Sequence, residues 1–243
     1  MQKMLSLLRK CVAQYHLISD GDKIAVGLSG GKDSSTLLKL LKEYQRFSPE
    51  RFELVAITVD LGFNGKQGDF SIFENFCKEI GVEYYIERTQ IAEVVFDVRK
   101  ETNPCALCAK MRKGALYSKA TELGCTKIAL GHHADDLIET MLLSLFYEGR
   151  LSTFSPISYL DRTGLTLIRP MLFIKESFIK PFSQTLPVKE SVCPANDNTK
   201  REYVKQVLAH VSKEVPNIRE MMFTAITHPE RNNLFDKLSN DNK

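Results

Sequence analysis

Short β-branched runs alternate with longer stretches at helical spacing over the first 150 residues, and this alternation constrains the fold most. Strands are predicted over 24–29, 53–59, 83–87 and 127–130, with helices over 34–47, 70–80, 91–101, 105–123 and 134–147. Leu37, Leu38, Leu40 and Leu41 repeat at helical spacing in the first of these helices, and Gly124 and Gly149 end the last two. Strands that recur with helices between them require right-handed crossovers, hence a doubly wound α/β fold with a parallel sheet. Beyond residue 150, runs at 157–160 and 165–168 flank the turn Asp161-Arg-Thr-Gly164, and 173–185 and 199–215 read as helices. The organisation expected is an amphipathic N-terminal helix (1–20), an α/β domain (21–150), a hairpin and helical extension (151–228) and a polar tail (229–243).

Composition removes several classes. Apolar residues make up 43% of the 243, enough for a core, and the 33 basic against 30 acidic residues leave only +3. That balance permits a nucleic-acid partner without arguing for one. No run approaches the ~20 apolar residues of a membrane span. The basic-apolar-basic start lacks a small-residue cleavage site, so a cytoplasmic chain is expected. The apolar face of that first helix (Met4, Leu5, Leu8, Val12) is the candidate surface for a homodimer.

Two segments carry anion chemistry. Ser29-Gly-Gly-Lys-Asp-Ser34 lies where a strand ends and a helix begins. Gly30 and Gly31 let backbone N–H groups approach an anion, the helix N-terminus adds unpaired donors, and Lys32 adds a point charge. Ser29, Ser34 and Ser35 supply hydroxyls. The G-x-x-x-x-G-K-[ST] pattern fails, because Val26 and Asp33 stand where it needs Gly and Ser or Thr. The string matches instead the S-G-G-x-D-S loop of enzymes that split ATP between its α and β phosphates. Asp60 closes the second strand, either as a ribose or Mg²⁺ contact or as a loop acid. Gly131-His-His-Ala-Asp-Asp136 follows the fourth strand and continues to Glu139 and Thr140. Asp135 or Asp136 suits a helix dipole, but two acids beside His132 and His133 point to Mg²⁺ binding and proton movement.

The six cysteines belong to a reducing compartment, where thiolate chemistry or metal ligation outranks disulfides. Cys105 and Cys108 share one face at the start of a helix, where the N-terminus favours thiolate. Cys11, Cys77 and Cys125 read as buried small hydrophobes, leaving Cys193, followed by Pro194, as the third candidate. Three thiolates suit an iron–sulfur cluster with one open iron; C-x-x-C alone also fits redox or zinc chemistry.

Together, the S-G-G-K-D-S loop, C-x-x-C at Cys105–Cys108, G-H-H-x-D-D-x-x-E-T at Gly131–Thr140, and Cys193-Pro with Thr199-Lys-Arg-Glu behind it resemble the tRNA 2-thiocytidine synthase family. The resemblance spans about 20–215 and implies an adenine nucleotide α-hydrolase-like (HUP-type) sheet. It implies further that ATP adenylates the C2 oxygen of an anticodon-loop cytidine. A [4Fe–4S] cluster on Cys105, Cys108 and Cys193 then supplies sulfur drawn from sulfide or a cysteine desulfurase. By the same carry-over, Ser29, Gly30, Gly31, Lys32, Asp33 and Ser34 hold phosphates, while Asp60, Gly131, His132 and Asp136 surround ATP and Mg²⁺; Lys32 and Asp136 take catalytic roles with the three cysteines.

Basic residues near the cysteine helix (Arg99, Lys100, Lys110, Arg112, Lys113) and in the last helices (Lys200, Arg201, Lys205, Lys213, Arg219) are candidate tRNA phosphate contacts. Extra zinc-binding cysteine pairs, as in 2-thiouridine thiolases, are absent. Rival readings are an ATP-splitting enzyme acting on a small molecule, such as an amidating ligase or sulfonucleotide reductase, and a redox-sensing nucleotide-binding regulator.

Overall fold

The computed structural model describes residues 1–99, 104–189 and 200–232. Strands β1 (Asp22–Gly27), β2 (Phe52–Asp60), β3 (Glu83–Arg88) and β4 (Lys127–Ala129) form at the β-branched runs, with β5 (Ile157–Leu160) and β6 (Leu165–Ile168) after them. They make one sheet in the order β3-β2-β1-β4-β6-β5, parallel except for β5. The expected doubly wound α/β architecture is therefore present. β1 has β2 on one side and β4 on the other, so the order reverses at β1/β4, and the carboxyl ends there open the crevice that such sheets use for ligands.

The helices are α1 (Gln2–Tyr15), α2 (Lys32–Tyr44), α3 (Ser71–Ile80), α4 (Pro104–Glu122), α5 (Ala134–Glu148), α6 (Glu176–Ser183), α7 (Lys200–Glu214) and α8 (Ile218–Thr227). The helix expected over 91–101 is present from residue 91, wound wide over Glu93–Val98, where the Arg99 N–H reaches the Val94 carbonyl five residues back; residues 100 and 101 lie outside the described residues. The 157–168 hairpin, expected in a C-terminal extension, completes the sheet: β6 pairs in parallel with β4 through Lys127↔Thr166 to Ala129↔Ile168. Among the described residues, no helix is long and apolar enough to cross a membrane.

The chain divides into two compact units, Met1–Ala134 with Ser155–Asp197, and Asp135–Phe154 with Asn198–Lys243. The first holds the sheet. One of its faces buries Ala25, Val55, Ile57, Ile128, Leu165 and Leu167 against Leu116 and Ala120 of α4. Met4, Leu8, Cys11 and Val12 of α1 are buried and α1 packs on α2, so most of the apolar face expected to meet a second copy is already covered by its own chain. In the second unit, Ile138 and Leu142 of α5 pack on Val204 and Leu208 of α7.

A buried ion pair locks the amino end of the sheet. Lys127 Nζ lies 2.7 Å from Asp22 Oδ2 and also donates to the Leu17 carbonyl, while Asp22 accepts the Ser19 N–H. Removing one partner of a buried pair leaves the other charge uncompensated. Lys127→Ala is expected to cost about 3–5 kcal/mol in urea unfolding; a loss below ~1 kcal/mol, the range of an exposed pair, contradicts this reading.

Candidate active site

The Ser29–Ser34 loop leaves β1 and opens directly into α2. Gly30 takes φ +89°, a left-handed conformation that costs glycine little, and Gly31 is the extended N-cap of α2 without a side-chain cap. The first four N–H groups of a helix have no partner within it, so this end is an anion-ready set of donors. Ser34 braces the turn: its Oγ accepts from the Ser29 N–H at 3.2 Å and donates to the Gly31 carbonyl at 2.9 Å. Ser29 is exposed, and its Oγ donates to Ser34 Oγ at 3.2 Å. Ser35, expected among the phosphate hydroxyls, is fully buried and donates instead to the Pro187 carbonyl at 2.8 Å.

The segment after β4 meets this loop. A Cβ on Gly131 would stand 2.9 Å from the carbonyl carbon and oxygen of Asp33 and 3.1 Å from the Ser34 nitrogen. Only a glycine lets these backbones touch. His132 follows it, and His133, buried, places Nε2 3.6 Å from Asp33 Oδ1. That Asp33 oxygen is buried and has no hydrogen-bond partner among the described residues, which suits it to a cation that arrives with a polyphosphate.

Lys32 is tethered. Its Nζ lies 3.0 Å from Asp33 Oδ2 and 3.2 Å from Glu176 Oε1, at the start of α6. Burial pulls the ammonium pKa down, but the two carboxylates more than offset it and leave it above the ordinary lysine value. Glu176 escaped the sequence reading because α6 lies 144 residues from Lys32, and no local pattern links them.

Asp60 has both oxygens engaged. Arg88 Nη1 donates to Oδ2 at 2.6 Å, and the N–H groups of Gly68 and Gly62 donate at 2.9 and 3.2 Å. Burial raises its pKa, but these donors outweigh burial and hold the carboxyl below its usual value. Of the two readings open for Asp60, this geometry favours the loop acid, closing the 60–68 turn.

In the second unit, the acids of α5 are paired internally. Arg201 Nη1 lies 2.9 Å from Glu139 and 3.4 Å from Asp136, and Arg219 Nη1 lies 2.8 Å from Asp135. Arg201 and Arg219, expected to grip tRNA phosphate, are thus ion-paired within this unit, because α7 and α8 pack along the acidic start of α5. Lys200 sits 4.4 Å over the Tyr147 ring.

Cys11, Cys77 and Cys125 are buried, as expected. Burial pushes the thiols of Cys11 and Cys77 up to about 12 and raises that of Cys125, which keeps them as inert core residues. Cys105 is exposed and Cys108 half-buried, one turn apart in the first turns of α4, with Pro104 opening the helix and Lys110, Arg112 and Lys113 exposed along it. Cys193 and Lys100 lie outside the described residues, among which no group of three metal-ligating side chains occurs. The two described thiols suit an iron–sulfur cluster in donor type, spacing and access.

Residues 2–211 match the PP-loop domain family. The tRNA-cytidine(32) 2-sulfurtransferase of Syntrophotalea carbinolica is 39% identical, over 97% of this chain and 92% of its own. The enzyme of the same name from Pelobacter propionicus is 40% identical, over 94% and 86%. The chain belongs to the PP-loop family, in the branch of the tRNA-cytidine(32) 2-sulfurtransferases. A solved structure, the U34-tRNA thiolase NcsA from Methanococcus maripaludis with its [4Fe-4S] cluster, superimposes with a TM-score of 0.75 at 25% identity, covering 97% of this chain and 80% of that one. The sheet matches the adenine nucleotide α-hydrolase-like fold implied by the motifs; the Ser29–Ser34 segment is called the PP-loop below.

The depressed pKa of Asp60 predicts a pH signature. A carboxyl whose folded pKa lies below its unfolded value stabilises fully above the unfolded value, near 3.8, and loses that contribution as pH falls through the folded one. The difference in Tm between Asp60→Asn and the parent protein is therefore expected to be widest near neutrality and to close in acid. An unchanging difference between pH 7 and pH 3 contradicts the assignment.

Proposed function

We propose that this protein uses ATP to activate the C2 oxygen of cytidine 32 in tRNA and replaces that oxygen with sulfur. Its family makes it a tRNA sulfurtransferase. The observation that carries the finer reading is the contact of Gly131 with the first turn of α2, which joins the PP-loop and the histidine segment at the β1/β4 switch point.

In the proposed reaction, ATP lies with its β and γ phosphates on the N–H groups from Gly30 to Ser34 and on Lys32. The C2 oxygen attacks the α phosphorus, pyrophosphate leaves onto these donors, and the oxygen, a poor leaving group alone, becomes part of AMP. Donors fixed in place before charge develops stabilise that step. Mg²⁺ is assigned to Asp33, whose buried oxygen lacks a hydrogen-bond partner, with Asp136 from α5 as the second candidate. His132 and His133 follow Gly131 and are the groups available to move a proton at the base.

Cys105 and Cys108, with Cys193, are assigned to a [4Fe–4S] cluster that supplies sulfur when bound, replenished from sulfide or a desulfurase persulfide. Lys189 donates its backbone N–H to the Gly30 carbonyl, and Cys193 follows four positions later in the sequence, at most about 14 Å of chain away. That tether supports a third thiolate near the PP-loop. The exposed Lys110, Arg112 and Lys113 beside the cysteine pair are the basic groups we assign to the tRNA backbone.

Nucleoside analysis of bulk tRNA from a strain lacking this protein tests the substrate. Loss of 2-thiocytidine is expected; loss of 2-thiouridine instead would assign the chain to the activity named for the Methanococcus structure, and unchanged thiolation would remove tRNA as substrate. Anaerobically purified protein is expected to be brown, and Cys105→Ala to lose iron and sulfide together with 2-thiocytidine formation. Full metal content in Cys105→Ala would overturn the ligand assignment.

A further inference from the structure

We propose that the backbone N–H of Lys189 is a positioning group for the PP-loop: it fixes the Gly30–Gly31 peptide plane, and through it the aim of the Gly31 N–H at the departing pyrophosphate. This rests on the reading of the loop as the pyrophosphate cradle and adds a remote residue to it.

The Gly30–Gly31 peptide has a mechanical weakness. With no Cβ on either side, its plane can turn over at little cost, because glycine populates positive and negative φ about equally. Turning it over exchanges the directions of the Gly30 carbonyl and the Gly31 N–H, which point opposite ways across a trans peptide. A cradle of N–H donors with that plane reversed would present a carbonyl oxygen to an anion. Something outside the loop must therefore hold it.

Residues 187–189 do so. The Lys189 N–H donates to the Gly30 carbonyl at 2.9 Å, which leaves the Gly31 N–H facing away from this strap. Gly31 is the N-cap of α2, so that donor leads directly into the unpartnered amides of the first turn. Three further contacts keep the strap in place. The Pro187 carbonyl accepts from the fully buried Ser35 on the same turn of α2, and the Lys189 ammonium lies 4.4 Å over the Phe70 ring while donating to the Asp69 carbonyl. Phe73 and Lys189 both crowd Gly30, with the Phe73 ring 3.5 Å and Lys189 Cβ 3.6 Å from where a Cβ would stand. The strap thus acts through the backbone, which hides it from any pattern of side-chain types.

The test separates N–H from side chain. Replacing residue 189 by its α-hydroxy acid deletes the N–H and keeps the lysine side chain; Lys189→Pro deletes the N–H by a second route. Pyrophosphate binding is measured by calorimetry, with a thermal melt confirming the fold of each variant. The ester and proline variants are expected to bind at least tenfold more weakly than the parent protein, with KM for ATP raised by the same factor. An ester variant that folds and binds pyrophosphate like the parent protein overturns the positioning role. A parent protein that does not bind pyrophosphate overturns the reading of the loop itself, and the two failures are distinct.

Discussion

The site depends on one backbone contact, Gly131 against the first turn of α2. Parallel strands β1 and β4 are hydrogen-bonded neighbours, so the segments leaving their carboxyl ends start side by side. Doubly wound sheets bind ligands where two neighbouring connections diverge to opposite faces, which leaves a cleft. Here the cleft is narrowed until main chain touches main chain, and no side chain at 131 is compatible with that approach. Lys32, Asp33, His132 and His133 are all carried by the two segments this contact joins.

Within each unit, several charges are paired inside the protein. Lys32 rests between Asp33 and Glu176, and Arg201 and Arg219 are held by the acids of α5. A half-buried ammonium without a partner would be costly, so Glu176 keeps Lys32 charged and near the loop before phosphate arrives. A bound polyphosphate would then exchange one set of anionic partners for another rather than recruit a freely moving lysine.

Much of the fold was legible because it follows from local pattern. The runs at 53–59 and 83–87 and the leucine spacing of α2 each specify their element without tertiary help, and their alternation gives the parallel sheet. The chemistry-bearing loops were legible too, since glycine spacing and acid–histidine runs report backbone and charge directly. What escaped is non-local. The 157–168 hairpin reads identically whether it stands apart or extends the sheet, and only the pairing of β6 with β4 decides. The helix beginning at residue 91 forms, but its wider winding over Glu93–Val98 leaves no mark in the residue spacing. Asp60 at a strand end looks the same as ligand or loop acid until Arg88 and Gly68 are seen on its oxygens. Glu176 and Lys189 lie more than 140 residues beyond the loop they support.

If the Gly131 contact is what shapes the cleft, adding one methyl group there must damage anion binding more than folding. Overpacking of this kind costs about 1–3 kcal/mol, within the reserve of most domains. Calorimetric titration of pyrophosphate into Gly131→Ala is the direct measurement. The account predicts a folded protein whose affinity falls at least tenfold; a variant that melts normally and binds pyrophosphate as tightly as the parent protein contradicts it.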